Sequence, residues 1–349
     1  MSGKNNPFTL SFGNAPEEYI ARIEEKEKLE RNIKAQPPLA HAFVITGIRG
    51  AGKTVMLTSI SDSFKKDKDW IVIELNPSDD MREALAAKLY SACHLKKLFL
   101  EKNFNFSFKG ISFSISGKNP VLNIDDLLDK MFEELHKQNK KVLVLVDEVT
   151  NNVYMKQFAL SFQILIRQNY EVFLLVTSLF ENISSIENEK NLTFLIRAPK
   201  TSLASLNLTA IANSYEENLE ITQEKALEFA KETKGYAFAF QLLGYLAFEN
   251  NSKMLDKKLL NQFDQYLESY AYNKIWTGLS PVEQNILKEF RTNGNVRVGD
   301  ILVKAKMTKE YFSKYRARLL DKGIVVSTAR GQLTFALPRF KEFIDTRIE

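Results

Sequence analysis

One short segment restricts the folds open to this chain more than any other feature. Gly47-Ile48-Arg49-Gly50-Ala51-Gly52-Lys53-Thr54 reads G-x-x-x-x-G-K-[ST]. The run before it, His41-Ala42-Phe43-Val44-Ile45-Thr46, is short, partly β-branched and closed by a glycine, as a buried strand is. After it, Val55-Met56-Leu57-Thr58-Ser59-Ile60 carries apolar residues at helical spacing. Between strand and helix, glycines let successive backbone N–H groups turn toward one phosphate. The helix N-terminus adds its partial positive charge. Lys53 is then placed to reach the β- and γ-phosphates, and the Thr54 hydroxyl to hold Mg²⁺. Residues 47–55, Val55 included, predict a nucleoside-triphosphate site with ATP and Mg²⁺ as its ligands.

A second segment supplies the other half of such a site. Lys141-Val142-Leu143-Val144-Leu145-Val146 is a continuous apolar run that ends in Asp147-Glu148. Runs without a polar face suit parallel strands covered on both sides by helices, and ligands bind at the carboxyl ends of such strands. Asp147 there can hold Mg²⁺, and Glu148 can orient or deprotonate an attacking water. The next run, Val172 to Ser178, ends in Thr177 and Ser178, whose hydroxyls are candidates for the γ-phosphate and the water. Arg197 follows a further apolar stretch and is a candidate cation for the γ-phosphate, in cis or from a neighbouring copy.

Strands alternating with helices predict an α/β domain with a parallel sheet. A helix is expected from about residue 16 to Lys34, and another over Ile124 to Lys137. Alternation around Lys109-Gly110 predicts an inserted β-hairpin near 103–116. The boundaries read as a nucleotide domain over 1–205, a helical lid over 206–272 and a C-terminal module over 273–349. No apolar run approaches the ~20 residues that cross a bilayer. Cys93 is the only cysteine, so no internal disulfide can form and a cytoplasmic setting is expected.

Charge is uneven along the chain. Residues 276–349 hold 14 Lys+Arg against 8 Asp+Glu, while the remainder is close to neutral. An anionic partner is therefore expected at the C-terminal end. Ser280-Pro281-Val282-Glu283 is a helix start with serine cap and proline at the first turn. Val298 to Ala305 is a second helix, Thr308 opens a third, and Gly323 stops it. Ile324 to Thr328 and Gln332 to Leu337 pair around Ala329-Arg330-Gly331. This pattern resembles a winged helix-turn-helix, in which the third helix enters the DNA major groove. Lys309, Lys314, Arg316, Arg318 and Arg330 are the candidate DNA contacts, and those on the core side of the helix cannot all reach. A protein partner, or self-association, is the other use open to such a module.

The phosphate loop, the apolar strand ending Asp147-Glu148 and the polar strand end at Thr177 resemble the Walker A, Walker B and sensor-1 elements of AAA+ and related STAND ATPases. The likeness is greatest to prokaryotic ATPases allied to the initiator (origin-recognition) type. It implies a P-loop NTPase sheet with helices on both faces, a helical lid and a winged helix. By the same resemblance, Tyr19-Ile20-Ala21-Arg22-Ile23-Glu24 matches a segment that packs near the adenine, through Ile20 and Arg22. Gly235 to Gly244 resembles the lid segment in which relatives carry a proline; here that place is Ala237. No second sensor arginine stands in that segment. Together these departures imply an ATP-dependent switch with slow hydrolysis, working through DNA or, as a STAND-type signalling or defence ATPase, through a protein.

Overall fold

The computed structural model describes residues 5–10, 16–92, 104–105, 114–115, 123–180, 182, 192–290 and 294–347. Five strands form one parallel sheet: β1 (Ala42–Thr46), β2 (Trp70–Leu75), β5 (Lys141–Val146), β6 (Val172–Ser178) and β7 (Lys200–Ser202), ordered β2-β5-β6-β1-β7. Side chains alternate between its faces. Val142, Val144 and Val146 pack with helices Met81–Ser91, Ile124–Lys137 and Val153–Arg167. Leu143 and Leu145 pack with helices Ile23–Lys34 and Lys53–Lys65. Both faces are covered, which is why the central strands β1, β5 and β6 are largely apolar, whereas edge strand β7 is polar. Register places Ile45 opposite Thr177 and Val146 opposite Val176, so β6 lies between the phosphate-loop strand and the acid-bearing strand.

Two expectations change. The first helix begins at Ile23, and residues 16–22 run as an irregular strap instead. Tertiary partners satisfy that strap: Glu18 N–H donates to Pro7 O at 3.1 Å. Gln241 Nε2 donates to Glu18 O at 2.6 Å, and Gln241 Oε1 accepts from Thr9 N–H at 3.0 Å. Helical periodicity in 17–22 loses to a side chain more than two hundred residues away. The short edge strand β7 also escapes the sequence, because three residues carry no period. Within the expected hairpin, β3 (Phe104–Asn105) pairs antiparallel with β4 (Ser114–Ile115); the rest of that expectation lies outside the described residues.

Helices Leu208–Leu219, Gln223–Glu232, Ala237–Glu249 and Lys257–Leu267 follow the sheet, and a π-helical turn, Glu268–Tyr272, leads on to Asn273–Thr277. The C-terminal module then runs helix Pro281–Lys288, β8 (Val296–Arg297), helix Val298–Lys304, helix Lys309–Asp321, β9 (Val325–Ala329), β10 (Gln332–Phe335) and helix Phe340–Asp345. Its three strands are ordered β8-β10-β9, antiparallel. The expected capping box is present: Ser280 and Glu283 satisfy each other's backbone N–H groups. The lid helices and the C-terminal module share one continuous apolar core, from Ile211 and Phe240 through Tyr272 to Phe335 and Ile344. Phe8 is buried in the same core, edge-on to Phe240 with ring centroids 5.6 Å apart.

Candidate functional site

A cleft of about 480 Å³ opens over the carboxyl end of the sheet. One wall is the phosphate loop, from Arg49 through Met56, with Glu148 beside it. The other is the strap at Tyr19, Ile20 and Arg22, with Ala237, Phe238 and Gln241 from the lid. The helix after the loop, Lys53–Lys65, starts on Gly52 at φ 91° with no side-chain cap, so its first N–H groups face the cleft uncapped by a side chain. Lys53 is buried, and its ammonium donates to Gly47 O at 3.0 Å and Ile48 O at 3.1 Å.

The acids stand where sequence placed them. Thr54 Oγ1 donates to Asp147 Oδ2 at 2.7 Å, spanning from the helix start to the end of β5. Two hard oxygen groups held this close, one of them a carboxylate, fit the donor set Mg²⁺ takes. Glu148 is exposed in the cleft and has a left-handed backbone, φ 52°. That conformation is uncommon for a non-glycine residue and costs of order 1–3 kcal/mol, so neighbours must hold it. Thr177 does so: its hydroxyl accepts from Glu148 N–H at 2.8 Å and donates to Asp147 Oδ1, while Thr177 O accepts from Val149 N–H at 2.9 Å.

Thr177 is therefore fully buried and does not line the cleft; its hydroxyl positions the two acids. Ser178 is also buried, and its hydroxyl turns to Val149 O at 3.3 Å. Arg197 ends the short helix Thr193–Arg197, is exposed and lines no part of the cleft. Ile20 and Arg22 do line it. The Arg22 guanidinium donates to Ala51 O at 3.1 Å and to Ala204 O, tying the loop to the segment that leads into the lid. Burial lowers the Arg22 pKa, with Glu25 opposing.

The residues that sequence reasoning passed over belong to the lid. Tyr236 Oη donates to Arg49 O at 2.6 Å, and Phe238 N–H donates to Gly50 O at 3.0 Å. Two successive loop carbonyls are thus held from the lid side. Gly50, at φ 76°, admits this approach because a Cβ there would lie 2.4 Å from Tyr236 Oη. Burial raises the Tyr236 pKa, so the hydroxyl keeps its proton and remains a donor. Lid and loop are almost two hundred positions apart, and only the unusual aromatic density of Tyr236-Ala237-Phe238-Ala239-Phe240 hints at the contact.

At the far end, Arg297, Lys304, Lys306, Lys309, Lys314, Arg318 and Arg330 are exposed on the C-terminal helices and hairpin. Arg297, Lys304 and Lys306 were not singled out from sequence, because each sits outside the third helix and the hairpin tip. Arg316 differs from the rest of the expected set: it is half-buried, with an enclosed Nε. Other cations of the segment serve the fold. Lys322 pairs with buried Glu283 at 3.1 Å, and Arg339 Nη2 binds Asp264 at 2.6 Å.

Residues 19–241, well over half of the chain, match the family described as an ATPase domain predominantly from Archaea. Residues 269–344 match a family described as a domain of unknown function. The fold is similar to the Walker-type ATPase PABY2304 of Pyrococcus abyssi, at 15% identity and a TM-score of 0.63, covering 98% of this chain and 99% of that one. It is also similar to the ORC2 protein of Aeropyrum pernix, solved as ADPNP–ADP complexes, at 15% identity and a TM-score of 0.57, covering 96% of each. Comparison with curated protein sequences finds no match. Among the described residues no helix is long and apolar enough to cross a membrane.

Proposed function

Since the chain belongs to the family of ATPase domains found predominantly in Archaea, we propose that it is an ATP- and Mg²⁺-dependent switch whose nucleotide state positions a C-terminal winged helix on duplex DNA. One observation carries this reading. The lid that closes the cleft and the C-terminal module share a single apolar core, so what moves the lid moves the module.

In this reading the loop N–H groups and Lys53 hold the phosphates, and Thr54 and Asp147 hold Mg²⁺, which offsets the negative charge of the phosphates. Glu148, fixed by Thr177, orients the attacking water and takes its proton. The strap and Phe238 enclose the base. The helix order and three-stranded sheet of the C-terminal module support the winged-helix reading. From β8 through the hairpin of the module, the exposed cations Arg297, Lys304, Lys306, Lys309, Lys314, Arg318 and Arg330 outweigh the exposed acids Asp300, Glu310 and Asp321. A backbone-tracking surface for DNA has that balance.

The test uses the full chain, because the module's core continues into the lid. Duplex DNA binding is titrated against salt with ATPγS, with ADP, and in Lys53→Ala. About two to five phosphate contacts would give a logarithmic salt slope of about −2 to −5. ATPγS and ADP should give different affinities in wild type and the same affinity in Lys53→Ala. Absence of DNA binding at low salt by the folded chain would move the module to a protein partner.

A further inference from the structure

We propose that the Arg49 side chain supplies the second cation for the γ-phosphate of ATP, in cis, from inside the phosphate loop. This rests on the ATPase reading above and adds a role for a side chain where the loop motif assigns only backbone.

Arg49 is the third residue of the loop and lines the cleft with Lys53, Thr54 and Glu148. It is half-buried, and its Nε is enclosed without a hydrogen-bond partner. Among the described residues no carboxylate pairs with the guanidinium. An arginine cannot shed its charge at any ordinary pH, so an enclosed, unpaired guanidinium donor carries a desolvation cost until an anion meets it. The anion this cleft is built for is a polyphosphate.

Among the described residues the other cations of the lining are engaged: Arg22 holds Ala51 O and Ala204 O, and Lys26 pairs with Glu30 at 3.8 Å. No arginine occurs between Arg197 and Arg291 in the sequence, so the lid brings none. Arg197 is exposed and outside the cleft lining. Lys53 has two donors occupied by Gly47 O and Ile48 O. Arg49, by contrast, has its main chain fixed and its side chain unengaged. Tyr236 holds the Arg49 carbonyl and Phe238 N–H holds the next one, Gly50 O. Lid docking therefore sets where the guanidinium begins its reach. The positive charge also lies near the Tyr236 hydroxyl, where it partly counters the effect of burial.

In hydrolysis the water oxygen bonds to the γ-phosphorus and the bond to the β–γ bridging oxygen breaks. That oxygen keeps the electron pair and leaves on ADP. The water's proton passes to Glu148. Charge spreads over the equatorial oxygens of the γ-phosphoryl group during transfer, and a guanidinium there stabilises the transition state more than the ground state. ADP lacks that group, so Arg49 should distinguish the two nucleotides.

The experiment compares the full chain with Arg49→Ala and Arg49→Lys. ATPγS and ADP affinities are measured by isothermal titration, and phosphate release from ATP under single turnover. Arg49→Ala should weaken ATPγS at least tenfold, leave ADP within twofold, and slow release by roughly 10³-fold or more, the scale of an arginine finger. Arg49→Lys should recover part of the ATPγS affinity, which loss of the fold could not produce. Equal losses for ATPγS and ADP, or no loss for either, would overturn the assignment while leaving the ATPase reading standing. A wild-type chain that binds neither nucleotide would overturn both.

Discussion

The sheet domain and the lid–module body are held together by different means. The sheet domain has two separate apolar cores, one on each face of the sheet, and side chains bond across its carboxyl edge: Thr54 to Asp147, and Thr177 to Asp147 and to the Glu148 backbone. Within the other body a single apolar core runs from lid to C-terminal module, fastened by Arg339 to Asp264 and Glu232 and by Tyr272 to Pro338 O. Between the bodies the polar ties act largely on main-chain carbonyls: Tyr236 on Arg49, Phe238 on Gly50, Gln241 on Glu18. Ile48 adds an apolar touch, 3.9 Å from where a Cβ on Gly323 would stand. Two internally stiff bodies meeting through a few backbone contacts should move as units, with the cleft at their seam. The chain's two tryptophans fall on opposite sides, Trp70 in the sheet core and Trp276 against the other core, so each body has its own fluorescent reporter.

The largest expected effect breaks the second body from inside. Lys322 and Glu283 are both buried and paired at 3.1 Å. Lys322→Ala leaves an unpaired buried carboxylate and should cost about 3–5 kcal/mol. The Trp276 transition should fall in temperature while the Trp70 transition stays. A joint fall of both would mean one cooperative unit and would end the two-body description. The pH dependence has a definite sign. Burial pushes the Glu283 pKa up, but the bonds from Ser280 and the charge of Lys322 outweigh it, leaving the pKa lowered. Its contribution is therefore complete above the unfolded carboxylate range, about pH 4.3, and is lost as pH falls through the folded value. Without Lys322 that loss should begin at higher pH.

A smaller effect separates positioning from binding in the sheet domain. Thr177→Val removes a hydroxyl that serves both acids, at a cost of about 1–3 kcal/mol. Glu148 is no longer held in its left-handed turn, and a misplaced water-orienting group can lower hydrolysis on the order of 10²-fold. ATPγS affinity and the Trp276 transition should hold. If ATPγS affinity falls in parallel with turnover, Thr177 supports the whole site and not the placement of Glu148.

Legibility follows the same division. The phosphate loop, the acids and the strands around them are local patterns: periodicity, a glycine spacing, an apolar run ending in charge. Their contacts could be anticipated because strand ends meet at one sheet edge. The strap over 16–22 could not, since Gln241 satisfies its backbone from the lid and no local period records that. Nor could the role of Thr177, whose hydroxyl is as compatible with a phosphate as with Asp147 until β6 is seen between β1 and β5. In the C-terminal module the helices and hairpin were readable from caps and turns. Which cations are exposed was not, because Arg316 and Arg318 are two positions apart and only packing separates them.

The smallest effect tests the seam itself. Tyr236→Phe keeps the ring, its burial and its edge contact with Phe238, and removes only the hydroxyl that reaches Arg49 O. One neutral hydrogen bond is worth about 1 kcal/mol net, so ATPγS affinity should fall by roughly fivefold. Neither tryptophan transition should move appreciably, because neither core changes. The distinguishing measurement is hydrogen exchange. With the carbonyl released, the loop over 47–55 and the lid start over 235–240 should exchange faster, while helices Leu208–Leu219 and Lys257–Leu267 stay protected. Faster exchange throughout the lid would mean that the Tyr236 hydroxyl braces that body's core, and the seam would then owe its strength to the Phe238–Gly50 bond and the strap.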